Sequence, residues 1–187
     1  PLPCTRMSPR DALLEHLKEH ALRTDGPFTL RSGKVADWYL DARQTTFDGF
    51  GAHLVGAAVY EAIDPDVVAV GGLTMGADPI AVATAMVAAA GGATLTAFSI
   101  RKEAKAHGTG GRLVGPVGPG SPVCLLEDTS TTGGAFFDAH DAAVAEGLRP
   151  VQAICLVDRS EGAVADGMAE RAIPYAALFV PTDLGVS

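Results

Sequence analysis

Little charge, few aromatic rings and almost no cysteine mark this 187-residue chain. Charged residues make up 19% of it against 48% hydrophobic, which excludes a disordered, solvating protein and leaves enough apolar side chain for a sizeable core. Three cysteines, with no C-x-x-C pair among them, exclude a disulfide framework, a zinc knuckle and a redox pair. Cys4 stands near the start, while Cys124 and Cys155 sit inside apolar runs. Buried free thiols fit a reducing, cytoplasmic setting. No apolar run reaches the length of a membrane span and no signal-peptide h-region opens the chain, so a soluble cytoplasmic protein is expected. The apolar share is mostly Ala and Val, a composition suited to helices packed closely on a sheet.

Positive charge is scarce as well. The formal net charge is −8, and phosphate backbones select basic surfaces, so a nucleic-acid partner is not expected. No Lys or Arg occurs between Arg43 and Arg101. Then Arg101, Lys102, Lys105 and Arg112 arrive together. A lone basic segment on an acidic chain is either a solvated charge run or a place to hold a small anion.

What is present is an alternation. Ser8-Pro9 followed by Asp11 predicts a helix start, with Leu13, Leu14, Leu17 and Ala21 on its apolar face. "FTLRSGKVADWYLDAR" (28–43) predicts two short strands around a Ser-Gly turn. A helix is predicted over 48–62. The strands "DVVAVGG", "ATLTAFSI", "PVCLLED", "VQAICLVDR" and "AALFV" are continuous apolar runs separated by helical patterns beginning near Asp78, Gly133 and Glu161. Such runs belong to a parallel sheet covered on both faces. An α/β domain follows: an open, mainly parallel sheet flanked by helices, with ligands expected at the carboxyl ends of its strands.

One stretch carries no pattern of its own. Residues 101–121 hold the basic cluster and then "GTGGRLVGPVGPG", in which six residues are Gly and two are Pro. Length and composition predict a mobile lid, with a long hairpin as the competing reading.

Familiar phosphate and hydrolase motifs are missing. "RSGKV" has Val35 where a Walker A loop needs Ser or Thr, and Gly108-Thr109-Gly110 lacks the third glycine of the dinucleotide fingerprint. Neither H-E-x-x-H nor G-x-S-x-G occurs.

The informative stretch is "VCLLEDTSTTGGAFFDAH" (123–140). Glu127 and Asp128 fall at the end of an expected central strand, where two buried carboxylates need donors. A ribose diol supplies them. Thr129, Ser130, Thr131, Thr132, Gly133, Gly134 and Ala135 form the turn into the next helix, where hydroxyls and free N–H groups can bind a phosphate. Together they fit a ribose 5-phosphate; a strand end with an ordinary Ser/Thr N-cap is the plainer alternative.

"LLEDTSTTGGA" resembles the phosphoribosyl pyrophosphate (PRPP) signature of the type I phosphoribosyltransferases. "SIRKEAKAHGTGG" resembles the mobile loop of orotate phosphoribosyltransferase, matching its R-K-x-x-K-x-H-G pattern at Arg101, Lys102, Lys105, His107 and Gly108. "FTLRSGKVADWYLD" and "LVDRSEG" resemble that family's orotate-side segments. Three departures stand out: Arg31 where many members have Lys, no Lys in "GGLTMGADP", and Glu127 where Asp is more usual.

The resemblance implies a single domain over 1–187, with an N-terminal hood at 1–45 and a core at 46–187 carrying the lid 101–121. It implies transfer of the phosphoribosyl group from PRPP to N1 of orotate, in the route to UMP. Lys105 would be the main lid catalyst, beside Arg101, Lys102 and His107 on the pyrophosphate. Glu127 and Asp128 would hold the ribose, Thr129 to Ala135 the 5′-phosphate, and Arg159, with Thr131, Arg31 and Tyr39, the orotate. Backbone groups around Thr74 to Gly76 would meet the pyrophosphate. Mg²⁺ would be held mainly by substrate oxygens, and a homodimer would share its lids. The competing functions are transfer to a purine or to uracil, and a PRPP-sensing, nucleic-acid-binding regulator of the same fold. His16, His20, His53 and His140 are expected as surface or helix residues, and Trp38 as a packing residue.

Overall fold

Sequence signals and element boundaries coincide along most of the chain, of which the computed structural model describes residues 7–29, 35–104 and 111–187. Cys4, Arg31, Lys105, His107 and Gly108 lie outside the described residues. Helix α1 (Pro9–His16) starts where Ser8 accepts the Asp11 N–H and continues as a π turn, Leu17–Ala21. Strands β1 (Leu22–Arg23), β2 (Phe28–Thr29), β3 (Val35–Ala36) and β4 (Tyr39–Leu40) form two small antiparallel pairs, β1 with β4 and β2 with β3. A short α2 (Arg43–Thr46) leads to α3 (Gly49–Ala62), capped by Asp48, whose carboxylate accepts the Gly51 N–H at 2.8 Å. His16, on α1, is buried between these helices, 3.2 Å from the Thr45 hydroxyl and 3.3 Å from Asp48.

The remaining elements are β5 (Ala69–Leu73), α4 (Ala77–Ala90), β6 (Thr96–Ile100), β7 (Leu113–Val114), β8 (Pro122–Ser130), α5 (Gly134–Ala145), β9 (Arg149–Asp158), α6 (Ala163–Glu170) and β10 (Tyr175–Phe179). A six-stranded sheet has the order β10-β9-β8-β5-β6-β7, parallel throughout except for the β6–β7 pair. Helices cover both faces. Leu13, Leu17, Val55, Val59 and Ile80 pack with Cys124, Leu126 and Leu156 on one side. Phe136, Ala139, Val164 and Met168 pack with Val123, Leu125 and Cys155 on the other. Successive β8 side chains therefore enter opposite cores, which is why its sequence shows no alternation. Each fully buried Leu or Phe here stabilises the fold by about 1.5–3 kcal/mol. Burial pushes the Cys124 and Cys155 thiols up, so neither is a ready nucleophile.

Two expectations need correction. Residues 111–121 are expected as the far half of a lid, yet Leu113 and Val114 pair with Ile100 and Ser99 as an edge strand. These two apolar residues extend the sheet by one strand, and Leu113 packs on the core. The second correction is at β8, which does not end on its acids. It runs on to Ser130 because β9 is long enough to pair with it, Thr129 against Val157 and Ser130 against Asp158.

Sheet order locates the site. From β5 the chain builds outward through α4 to β6; from β8 it builds the opposite way through α5 and α6 to β9 and β10. The reversal falls between β5 and β8, and the crevice beyond the carboxyl ends of strands at such a point is where open α/β sheets bind ligands.

Candidate active site

Two chain segments meet at that reversal: Leu73 to Gly76 after β5, and Glu127 to Ala135 at the end of β8. Leu73 to Gly76 of the first, and Glu127, Asp128, Thr129 and Ala135 of the second, line a cleft of about 430 Å³ with Tyr39, Asp41, Arg43 and Lys102. Glu127 is only 8% exposed, and its Oε2 has no hydrogen-bond partner among the described residues. Asp128 is half-buried, and its Oδ1 accepts the Thr129 N–H at 2.7 Å. Burial first, then the neighbouring Asp128, pushes the Glu127 carboxyl up to about 9, while Lys102 draws it down. At neutral pH the acid pair therefore holds a proton, as expected for two carboxyls side by side in a dry site. Hydroxyl donors and a developing positive charge would favour its release.

Gly76 is the other wall. A Cβ at this position would stand 2.7 Å from Asp128 Oδ1 and 2.9 Å from Glu127 Oε1, so only glycine lets this backbone lie against the acids. The loop before it is tied down. Thr74 N–H donates to Ile100 O at 2.9 Å, and the Thr74 hydroxyl donates to Asp78 Oδ2 at 2.7 Å. With Thr74 N–H already used, an anion entering this side meets the N–H groups that follow it and the amino terminus of the 14-residue α4.

A second helix start faces the same cleft. Gly133 takes φ +80°, which turns the chain from β8 into α5 without a side-chain cap. The N–H groups of Thr131, Thr132, Gly134 and Ala135 have no acceptor among the described residues. The plain N-cap reading of this turn fails, and an anion cradle remains. Ser130 is a correction within it: the residue is buried and its hydroxyl accepts the Gly133 N–H at 3.2 Å, shaping the turn rather than facing a ligand. Thr131 and Thr132 are exposed on it.

A second cleft of about 570 Å³ lies alongside, lined by Ala36, Trp38, Asp158, Arg159, Glu161 and Thr182, among others. Arg159 stacks its guanidinium 4.2 Å above the Trp38 ring, and Trp38 Nε1–H donates to Ser187 O at 3.1 Å. Trp38 thus packs, as expected, and its partner is Arg159, the residue expected at the orotate. The half-buried guanidinium has no carboxylate within salt-bridge distance among the described residues, and burial lowers its pKa. An uncompensated guanidinium beside a cleft suits a planar carboxylate. Arg159 N–H donates to Ser130 O at 2.8 Å, which ties this cleft to the first.

Of the other expected residues, Lys102 and Tyr39 line the first cleft. Arg112, counted above with the basic cluster, is withdrawn from it into an ion pair with Asp138. No sequence motif singles out Asp41 and Arg43. They pair at 2.7 Å on the rim of the first cleft, and Arg43 holds the Asp41 carboxyl below its ordinary range.

No family model matches the chain. The orotate phosphoribosyltransferase of Streptomyces avermitilis is 44% identical over 178 residues, spanning 95% of this chain and 97% of that protein. The enzyme of that name from Aquifex aeolicus is 39% identical over 183 residues, spanning 95% and 98%. Among solved structures, Mycobacterium tuberculosis H37Rv orotate phosphoribosyltransferase in complex with Fe(III) dicitrate superposes with a TM-score of 0.84 at 35% identity, covering 95% of this chain and 99% of that one. The same protein in complex with PRPP gives 0.80 at 32% identity, with the same coverage.

Proposed function

The chain belongs to the orotate phosphoribosyltransferase family, and from that premise we propose how its residues divide the work of joining orotate to PRPP. N1 of orotate gives up its proton and replaces pyrophosphate at C1 of the ribose: the N1–C1 bond forms, the C1–oxygen bond to pyrophosphate breaks, and the proton leaves with pyrophosphate or to water, giving orotidine 5′-monophosphate on the route to UMP. The observation that carries this reading is the acid pair set against Gly76 between the amino termini of α4 and α5.

Glu127 and Asp128 take the 2′- and 3′-hydroxyls as donors. Their negative charge then favours the oxocarbenium character that develops on the ring as pyrophosphate leaves. Thr129 to Ala135 cradle the 5′-phosphate, with Ser130 acting from behind. Met75, Gly76 and the α4 terminus receive the pyrophosphate through main-chain N–H groups, in place of a lysine. Arg101, Lys102, Lys105 and His107 neutralise its charge, Lys105 foremost. Arg159 binds the orotate carboxylate, assisted by Arg31, Tyr39 and Thr131.

Mg²⁺ fits the same arrangement. A hard cation that keeps its waters, held by substrate oxygens near Glu127 and Asp128, suits these oxygen donors. When bound, it supplies neutralisation of the leaving pyrophosphate.

A homodimer completes the reading. Phe47, Phe50, Met75, Val82 and Met86 are exposed apolar side chains on α4, at the start of α3 and on the segments leading into both helices. Met75 belongs to the cleft itself, so a second copy covering this strip would adjoin the site.

Orotate consumption with PRPP, followed by the loss of orotate absorbance, tests the activity against uracil, adenine and hypoxanthine. Orotate alone is expected to react; turnover of a purine or of uracil instead would overturn the assignment. Arg159→Ala should raise KM for orotate by roughly 10- to 100-fold, the worth of a lost charge-assisted pair, with KM for PRPP unchanged. Equal rises in both constants would remove Arg159 from base recognition.

A further inference from the structure

Arg112 makes more bonds than a surface cation needs. Its Nη1 and Nη2 donate to the two carboxylate oxygens of Asp138, each at 2.7 Å. Its Nε donates to Arg101 O at 2.6 Å, and its main-chain N–H to Glu146 Oε1 at 2.6 Å. Its own carbonyl accepts the Arg101 N–H at 2.9 Å. Gly111 takes φ +72° and passes close under Glu146, where a Cβ would stand 2.7 Å from Oε1. The pair is partly exposed, 22% for Arg112 and 43% for Asp138, so little of this bonding is explained by burial.

Two results follow from where the bonds go. Residues 101 and 112 are held face to face by a reciprocal pair of hydrogen bonds, which fixes the neck of the basic segment. The guanidinium then fastens that neck to α5. Asp138 lies one turn beyond Gly134, on the helix whose first N–H groups form the anion cradle. Lys102, next to the neck, lines the cleft with Glu127, Asp128 and Ala135. Cradle and cation therefore share one frame.

We propose that Arg112 and Asp138 are positioning residues for phosphoribosyl transfer: their fork-on-fork pair locks the neck of the basic segment to the phosphate-binding helix, so that both ends of PRPP meet groups at a set separation. This rests on the reading of the cleft as the PRPP site. A bidentate guanidinium–carboxylate pair has the directional stiffness this needs, and a lysine does not. Asp138 is held in its charged form by Arg112, which keeps its carboxyl below the usual range.

Steady-state kinetics of Asp138→Ala, Asp138→Asn, Asp138→Glu and Arg112→Lys, with Tm for each, test the proposal. Asp138→Ala and Asp138→Asn should each lower kcat/KM for PRPP by about tenfold, the scale expected for displacing positioned groups by a fraction of an ångström, with KM for orotate within about twofold. Arg112→Lys should behave like them, and Asp138→Glu should restore part of the loss. Tryptic cleavage after Lys102 in the ligand-free protein should accelerate in Asp138→Asn. Unchanged kcat/KM for PRPP in the Asp138 variants overturns the proposal. So does a fall in both substrates' constants that tracks lost Tm, because that is the mark of a merely structural pair. Failure of the wild type to use PRPP at all would instead refute the cleft assignment, a separate outcome from either.

Discussion

Glu127→Gln should slow phosphoribosyl transfer by roughly 10²–10³, the loss seen when one preorganised charge-stabilising group is removed, while making the folded protein sturdier in alkaline buffer. The two effects have one cause. The Glu127 carboxyl is pushed up to about 9 in the fold, chiefly by burial, from an ordinary value of 4.5. Between those values the folded chain holds a proton that the unfolded chain has lost. Stability therefore falls as pH rises through this window: the contribution is whole below the lower value and gone above the upper one. Glutamine keeps the shape of the protonated acid and cannot ionise, so the slope it causes disappears. Thermal melts from about pH 5 to pH 9 should show a steeper decline for the wild type than for the variant. Parallel curves would mean that Glu127 is ionised in the free protein. The kinetic loss arises because glutamine also cannot supply the negative charge that the strained sugar needs. Titration calorimetry of PRPP in buffers of differing ionisation enthalpy should register proton release in the wild type and none in the variant.

Lys105→Ala should lower turnover by roughly 10²–10³, the loss when one preorganised charge-stabilising group is removed. Lys105 lies outside the described residues, so this expectation stands on the R-K-x-x-K-x-H-G match and on the need to neutralise departing pyrophosphate. A variant with near wild-type turnover removes it from the mechanism. If one subunit's Lys105 serves its neighbour's site, mixing Lys105→Ala with Asp128→Asn subunits rebuilds one good site per mixed dimer. Random exchange makes half the dimers mixed, so activity should recover to roughly a quarter of wild type. Proven exchange without recovery would show that each subunit uses its own Lys105.

Much of this could be read from residue order alone, and the parts that could not share a reason. Strand and helix positions follow from local signals: Ser8-Pro9, the Asp48 cap, the apolar runs, the glycine after α5. The acid pair and its turn are a contiguous stretch, so their chemistry shows in one glance along the chain. The extent of β8 does not, because it depends on β9 offering partners as far as Asp158. Arg112 reads as one more cation of a basic cluster; only the fold reveals Asp138, 26 residues on, as the group it serves. The stack of Arg159 on Trp38 joins residues still further apart. The role of Gly76 depends on carboxylates some fifty positions away. Asp41 and Arg43 are the exception: their spacing was visible, but a pair two apart in sequence is equally common where nothing binds.

The hydrogen bond from Arg159 N–H to Ser130 O carries a consequence for retooling the enzyme. It is one rung of the ladder between β8 and β9, and neighbouring strands keep a spacing of about 4.8 Å. The bend proposed to grip the pentose and the bend proposed to greet the nucleobase are thus rulers nailed side by side. The main-chain separation of the two bends is set by that ladder, and no exchange of side chains within either cleft alters it. Designers seeking a wider acceptor range should expect to rebuild the bend after β9, where Arg159 leaves the sheet, before altering any contact residue.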